Sequence, residues 1–276
     1  MNTTTVPVGD SAAPKVGESG GSQVHAFASI LWRDIFVTGK EVYVFLAQVL
    51  IQPFFFVFVF GKILTNLGFT NHSFINILVP GIIGLTAFIV GIQSVALPLV
   101  IDFGWTKEIE DRLLAPLPNA LVAVEKVTYA TLRGLIAAGV MFPISLAVIG
   151  TGPFAHDHVA PMIGFMVLAA VAGSAVGLVL GTLVDFRRIN LIFAVVLTPL
   201  LFTGCSQYPW PELSRIAWFQ DLTLVNPLTY ASEGLRAAMV PGVAHIPSWI
   251  CAVVLAGAIV VLLVIGAAGF RKRAID

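Results

Sequence analysis

The sequence is poor in charged residues. Only 11% of its 276 residues are Asp, Glu, Lys or Arg, whereas soluble domains carry about 25%. In their place, 58% of the residues are hydrophobic and the mean hydropathy is +0.94. This composition excludes an ordinary soluble domain and predicts one integral membrane domain. The 15 basic and 15 acidic residues cancel, so we expect no nucleic-acid partner.

Cysteine is scarce as well. Cys205 and Cys251 are the only cysteines, and neither belongs to a Cys-x-x-Cys pair or has histidines at metal-ligand spacing. They fall near the same predicted face of the membrane, which leaves open a disulfide or two buried small hydrophobic side chains. His156, Asp157 and His158 resemble a metal site only superficially, because three adjacent residues cannot all face one ion on a helix. We therefore expect no metal site.

Motifs for catalysis and nucleotide binding are missing too. The sequence has no His-Glu-x-x-His and no Gly-x-x-x-x-Gly-Lys-Ser/Thr, and the second of these is the loop that cradles ATP phosphates. No predicted span carries a carboxylate or histidine near its middle, where a proton-coupled carrier is expected to have one. These absences argue against an enzyme and against ATP binding by this chain. If ATP drives the protein, the ATPase is a separate chain.

Long apolar stretches predict an all-α membrane protein with six transmembrane helices. A helix needs about 20 apolar residues to cross a bilayer. The predicted spans are residues 44–64, 75–101, 127–149, 162–184, 191–203 and 248–270. The fifth of these is short for a crossing, and Pro53 is expected to kink the first.

The chain ahead of the first span divides into a tail and a short helix. Residues 1–24 are rich in Thr, Ser, Gly and Pro, which is typical of a disordered tail. Residues 25–276 are predicted to form the transmembrane domain. At the start of this domain, the sequence predicts that His25–Tyr43 form a helix lying at the membrane interface. The alternative is that these residues simply extend the first span.

The region between the fifth and sixth spans is predicted to be an external, re-entrant helical segment. Residues 204–247 are too broken by Pro and charge to cross the membrane. Two short helices fit, at 211–222 and 227–239. Asn226 directly precedes Pro227 and is expected to cap the second helix.

Three glycines in the fourth span predict close helix packing. Gly173, Gly177 and Gly181 are four residues apart, so they lie on one face of a helix. Small residues at this spacing let another helix approach closely in a membrane.

The distribution of Lys and Arg predicts the orientation. With both termini in the cytoplasm, the inner side holds Lys15, Arg33, Lys40, Lys107, Arg112, Lys126, Arg187, Arg188, Arg271, Lys272 and Arg273. The outer side holds only Lys62, Arg215 and Arg236. Arg133 remains inside the third span, where we expect it to snorkel to the inner face or to make a polar contact between helices.

A charged stretch follows the second span at Asp102–Pro118. Its charges are Lys107, Glu108, Glu110, Asp111 and Arg112. A single charge at the bilayer centre costs about 2.5–3.5 kcal/mol, so this stretch is expected to lie in water on the cytoplasmic side.

These features together resemble the membrane permeases of type-2 ABC exporters, the group that includes daunorubicin-resistance and nodulation-factor export permeases. The order of elements is similar, and the charged stretch ends in Leu113–Pro118 (LLAPLP), like that family's Leu-x-x-Pro turn. Residues 226–230 (NPLTY) and 233–236 (EGLR) are similar to its external Asn-Pro-x-x-Tyr…Leu-Arg signature, with Tyr208-Pro209 upstream. The resemblance covers nearly the whole chain after residue 24.

The resemblance implies the permease subunit of an ATP-driven exporter in the plasma membrane, the bacterial inner membrane. Its implied partners are two ATP-binding subunits, which carry ATP and Mg, and a second identical or homologous permease; this chain would bind no cofactor. The implied substrate is hydrophobic or amphiphilic: a drug, a lipid or a lipid-linked glycan. The charged residues 107, 108 and 110–112 would then contact the ATPase.

The same resemblance implies that residues 204–247, called the outer segment below, form an external gate over the transport path. The candidate gate residues are Tyr208, Pro209, Asn226, Pro227, Tyr230 and Arg236. The polar faces of the two short helices are expected to receive the leaving substrate. The alternatives are a secondary carrier or channel that works without an ATPase, and a membrane-embedded enzyme.

Overall fold

The computed structural model describes residues 20–40, 42–103, 119–150, 158–185 and 188–275. All regular secondary structure within these ranges is helical. The predicted coupling residues Lys107, Glu108, Glu110, Asp111 and Arg112 lie outside the described residues.

The described residues form nine main helices. In chain order these are α1 (Gly20–Lys40), α2 (Val42–Asn66), α3 (His72–Ile101), α4 (Asn119–Ile149), α5 (Val159–Leu183), α6 (Ile189–Thr203), α7 (Ala217–Thr223), α8 (Pro227–Met239) and α9 (Ser248–Ile275). A short 3₁₀ turn, Trp210–Arg215, precedes α7.

Five of these helices are long and apolar enough to cross a membrane, namely α2, α3, α4, α5 and α9. The apolar part of α6, Leu191–Thr203, is shorter. The prediction of an all-helical protein with several membrane spans is confirmed.

Two helices begin earlier than the sequence predicted. α1 begins at Gly20, inside the stretch assigned to the tail, because polar residues free of proline can form the first turn of a helix that apolar residues stabilise further along. α4 begins at Asn119, so Glu125 and Lys126 belong to the helix instead of marking its entrance. The Nζ atom of Lys126 lies 3.7 Å from Oδ2 of Asp34 in α1, which gives this charge a partner within the fold.

Helix α3 is the centre of the bundle. Of its most apolar stretch, 83% is buried, compared with 22% for α2 and for α9. α3 packs chiefly against α5, α4 and α8. Helices α4, α5 and α8 therefore share α3 as a packing partner.

The glycines of α5 lie against α3. A β-carbon placed on Gly173 would be 2.0 Å from the carbonyl oxygen of Phe88, and one on Gly177 would be 2.6 Å from that of Ile92. A β-carbon on Gly181 would be 2.9 Å from Cβ of Leu99. Real side chains do not approach so closely, so the backbones of α3 and α5 meet only because these positions are glycine.

The outer segment differs in part from its prediction. Helix α8 has the bounds predicted from the sequence, Pro227–Met239. The helix predicted at 211–222 is instead the 3₁₀ turn followed by α7. The helical conformation is interrupted between them at Ile216, whose backbone dihedral angles (φ −131°, ψ 69°) are not helical.

Candidate functional site

A buried ion pair lies at the centre of the outer segment. Glu233 and Arg236 are three residues apart in α8, which puts them on the same face of the helix. The Nη1 atom of Arg236 donates to Oε1 of Glu233, and both side chains are 0% exposed. A buried pair of this kind is stable only when further hydrogen bonds satisfy its remaining polar atoms.

Arg236 finds those partners on two other parts of the chain. Its Nη2 and Nε atoms donate to the carbonyl oxygen of Ile77 in α3, at 3.3 and 3.4 Å. Nη2 also donates to the carbonyl oxygen of Cys205 at 2.9 Å. Burial lowers the pKa of Arg236 and the Glu233 carboxylate opposes that shift, so the guanidinium keeps its charge at neutral pH.

Glu233 holds both ends of the outer segment. Its Oε1 atom accepts a hydrogen bond from the backbone N–H of Trp210 at 2.9 Å, and its Oε2 atom accepts one from Ile246 at 2.9 Å. Through Arg236, the same pair reaches α3. One ion pair therefore ties the beginning, the middle and the end of the segment to the core.

Asn226 fixes the start of α8. Its Oδ1 accepts from the backbone N–H of Leu228 at 2.9 Å, which is the predicted cap, and Pro227 occupies the first helical position. Its Nδ2 donates to the carbonyl oxygen of Leu200 and to Oγ1 of Thr203, at 2.8 and 2.9 Å. Asn226 therefore both caps α8 and joins it to the end of α6.

The two predicted gate tyrosines close turns of the same segment. The Tyr208 hydroxyl donates to the carbonyl oxygen of Phe202, and that of Tyr230 donates to the carbonyl oxygen of Leu224 at 2.9 Å. Burial raises the pKa of Tyr208 to about 12, so its phenol remains a donor across the physiological range. Pro209 is buried beside them.

The polar side of α8 does not face outward as the sequence predicted. Thr229, Ser232, Glu233 and Arg236 are all buried. The reason is that the irregular chain around α8 brings buried backbone groups with it, and α8 supplies their hydrogen-bond partners. The structure thus brings the predicted gate residues together, but inside the segment. Its exposed surface includes Trp218 of α7, which is 71% exposed.

A second feature is a cleft of about 110 Å³ between α2, α3 and α6. Four of its lining side chains are polar and uncharged: Gln48, Gln52, Thr86 and Gln93. The remaining lining side chains, including Pro53, are apolar, and none of the described residues that line the cleft is charged.

The glutamines of α2 are the residues that the sequence analysis missed. Gln48 and Gln52 are four residues apart, so they share one face of α2, and both are exposed. An amide turned toward hydrocarbon without a partner costs free energy, so this face is expected to meet water, a polar ligand or another protein. The signal that could have revealed them is a pair of amides at helical spacing in an otherwise apolar span.

The chain on either side of the charged stretch is tied to neighbouring helices. The guanidinium of Arg273 in α9 lies 4.9 Å from the centre of the Phe103 ring, at the beginning of the stretch. Arg273 also donates to the last carbonyl oxygens of α5, with the Nη1 to Val184 oxygen distance at 2.8 Å. After the stretch, Lys126 pairs with Asp34 of α1.

The cysteines are separate thiols in the structure, so the disulfide alternative is not realised. Cys205 and Cys251 are both free and buried. Burial raises the pKa of the Cys205 thiol to about 11, and a protonated thiol is a poor nucleophile and metal ligand. The described residues contain no group of three His, Cys, Asp or Glu side chains that could hold a metal ion.

Comparison with known proteins decides the family. Residues 25–240 match the ABC-2 type transporter family. The chain belongs to that family. As an ABC-2 type protein, it is a multi-pass permease subunit of an ABC transporter, and membership implies an ATP-binding partner.

Curated relatives agree over most of this ABC-2 chain. The inner membrane transport permease YadH of Escherichia coli K12 is 29% identical over 213 residues, which cover 72% of this chain and 80% of YadH. Two proteins named putative transport permease ycf38, from Porphyra purpurea and Pyropia yezoensis, are 28% and 30% identical; each alignment covers 68% of this chain and 65% of the relative. No solved structure matches the chain.

Proposed function

We propose that this ABC-2 permease exports a hydrophobic or amphiphilic compound across the bacterial inner membrane, in the manner of drug-efflux and multidrug-resistance permeases. The observation that carries the proposal is the uncharged, amide-lined cleft between α2, α3 and α6. Its glutamines provide hydrogen bonds and its apolar walls provide contact area. Such a lining suits a molecule that is largely apolar and has a few neutral polar groups.

The proposed assembly has two permeases, identical or homologous, and two ATP-binding subunits that carry ATP and Mg. In this chain, α6 serves as the fifth of six spans. No described side chain of Leu191–Thr203 is buried, and Gln48 and Gln52 of α2 are exposed beside it. A second permease packed on this face would cover both helices and enclose a path that one permease leaves open.

The proposed orientation places both termini in the cytoplasm, as the positive-inside rule predicts. The charged stretch then meets the ATP-binding subunits, with Lys107, Glu108, Glu110, Asp111 and Arg112 as contact residues. Complementary charges of both signs give such a contact its register and orientation.

At the other end, the outer segment acts as an external gate. Its interior hydrogen bonds support a cap that moves as one body with α3. In this proposal, residues Tyr208, Pro209, Asn226, Pro227, Tyr230 and Arg236 hold the cap together. They do not line the path themselves.

The experiment is ATP-driven flux of an amphiphilic dye in vesicles that contain the permease and its co-purified ATP-binding subunit. We expect the variant Q48L/Q52L to fold normally and to lower dye-stimulated ATPase activity and flux several-fold, because the amide hydrogen bonds to the substrate are lost. The control is Val260→Leu on the exposed face of α9, which should leave both activities unchanged. Equal flux in Q48L/Q52L and wild type would contradict a substrate role for the cleft.

A second variant tests coupling separately. E108A/D111A/R112A should weaken retention of the ATP-binding subunit during mild affinity purification, or uncouple its ATPase activity from flux. Flux that follows an ion gradient without any co-purifying ATPase would instead support the alternative of a secondary carrier or channel.

A further inference from the structure

A groove of about 130 Å³ lies where α1, α2 and α4 meet. Its walls include Ile35 and Gly39 of α1, Val42 and Phe45 of α2, and Leu132 and Arg133 of α4. Apart from Arg133 and Tyr129, the side chains that line it are apolar. None of them belongs to the amide-lined cleft.

Arg133 is the charged residue among the described residues that line this groove, and its described neighbours are aromatic rings. Its guanidinium carbon lies 4.1 Å from the centre of the Phe45 ring and 5.7 Å from that of Tyr129. Its Nε atom is buried and has no hydrogen-bond partner. None of the ion pairs in the described part of the chain includes Arg133.

Two buried cations of the described chain are held differently. Arg236 has the carboxylate of Glu233, and Lys126 has Asp34. A guanidinium whose described contacts are mainly with aromatic rings is stabilised less, because ring contacts are weaker than a paired anion. Among the described residues, Arg133 is therefore the cation of this groove that is suited to binding an external anion.

The position of Arg133 fits an anion at the membrane surface. It lies seven residues after Lys126, which pairs with Asp34 of the interface helix α1, and this is about 10 Å along the helix. An arginine at that depth reaches the headgroup region by extending its side chain. α1, which forms one wall of the groove, carries the exposed cations Arg33 and Lys40, and these add to the attraction for an anion.

We propose that this groove binds one anionic membrane phospholipid. The phosphate would accept paired hydrogen bonds from the Arg133 guanidinium, whose planar fork matches a phosphate. One acyl chain would occupy the apolar groove along Phe45 and Leu132. Gly39 leaves the space for it, since a β-carbon there would meet nothing within 4 Å.

The experiment measures lipid retained by the full-length permease. The protein is reconstituted in nanodiscs of equal parts phosphatidylglycerol and phosphatidylcholine, and lipids that remain bound after detergent release are counted by native mass spectrometry. We expect a phosphatidylglycerol preference of roughly tenfold at one site per protomer, as a charge-assisted hydrogen-bonded pair gives. Two variants should remove it: Arg133→Gln, which removes the charge, and Gly39→Leu, which fills the groove and keeps the charge.

Matched controls separate binding from folding. Gly139→Leu on α4 also adds a side chain where a β-carbon would meet nothing within 4 Å, and Arg33→Gln removes an exposed cation; both should keep most of the preference. Arg133→Lys should keep part of it. Equal retention of the two lipids by the wild type, or an unchanged preference in Arg133→Gln, would overturn the proposal. Loss of the preference when inorganic phosphate is added at millimolar concentration would also overturn the proposal, because it would show that the site binds a free anion and not a lipid.

Discussion

Helices α6 and α8 invert the usual relation between polarity and burial. α8 (PLTYASEGLRAAM) contains a glutamate and an arginine, yet every residue from Leu228 to Met239 is buried. α6 (INLIFAVVLTPLLFT) is almost entirely apolar, yet none of its described side chains is buried. The two helices are joined directly by hydrogen bonds from Asn226 to Leu200 and Thr203.

This inversion arises because the medium around much of the protein is a lipid bilayer and not water. In a bilayer, an apolar surface has no need to turn inward, so α6 can face lipid or a partner without cost. Polar groups in or near the membrane must find partners inside the protein. The polar residues of α8 are therefore buried with their hydrogen-bond partners, while α2 and α6 keep much of their apolar surface exposed.

We expect the substitution Glu233→Ala to cause the greatest loss of stability. It leaves Arg236 buried without its carboxylate and leaves two backbone N–H groups unsatisfied, so we expect a loss of about 3–5 kcal/mol in stability. Thermal denaturation followed by size-exclusion chromatography measures the loss. The control is Asp221→Ala, an exposed acid of the same segment, which should change little.

The paired variant E233M/R236M extends that test, because it removes both charges at once. It should be more stable than Glu233→Ala, since neither charge is left unpaired. If Glu233→Ala matched the wild type, the ion pair would not hold the outer segment.

We expect a smaller loss of stability where the backbones of α3 and α5 pack directly against each other. In Gly173→Ala the added methyl would lie 2.0 Å from the Phe88 carbonyl oxygen, so α3 and α5 must separate, at a cost of about 1–3 kcal/mol. Gly164→Ala in the same helix meets nothing within 4 Å and should stabilise by about 0.5–1 kcal/mol. The same denaturation assay compares the two, and a similar loss in both would show that close packing is not the reason for Gly173.

The link between the two helices is tested at Asn226. Asn226→Ala removes the cap of α8, at a cost of about 0.5–2 kcal/mol. Asn226→Asp keeps the cap acceptor but loses both hydrogen bonds to α6. If the aspartate variant is as stable as wild type, the cap alone matters; if it is as unstable as the alanine variant, the link to α6 carries the effect.

Hydropathy was enough to predict the helical class and the multi-pass arrangement, and the Asn226-Pro227 pair predicted where α8 begins. The apolar runs and the Asn226-Pro227 pair are local signals, and local signals determine where helices begin and end. The start of α4 was missed because Glu125 and Lys126 interrupt the apolar run, although they continue the helix. A charge ends a hydrophobic stretch without ending a helix when it has a partner such as Asp34.

The site was less predictable, because it depends on which faces meet. Glu233 and Arg236 read as solvent-facing charges in the sequence, and only the approach of α3 and of the chain at Cys205 explains why they are inside. Gln48 and Gln52 were overlooked among apolar neighbours for the opposite reason. Their exposure on α2 becomes meaningful only once α3 and α6 are known to form the other walls of the cleft.

The last prediction concerns the reactivity of a buried thiol, Cys205, in the outer segment. The pKa of Cys205 is raised from 9.0 to about 11 by burial, so the folded protein keeps this proton when the unfolded chain would lose it. The stability from the neutral thiol is therefore fully present below about pH 9 and is lost as pH rises through about 11. In the Cys251→Ser background, N-ethylmaleimide should label Cys205 slowly at pH 7 and faster between pH 9 and 11. Adding Asp221→Cys, at an exposed position of the outer segment, should give rapid labelling at pH 7, because a thiol in water ionises more readily than a buried one. Equal rates at the two cysteines would mean that the interior of the outer segment opens freely to solvent, and the burial of the polar groups around α8 would then not hold.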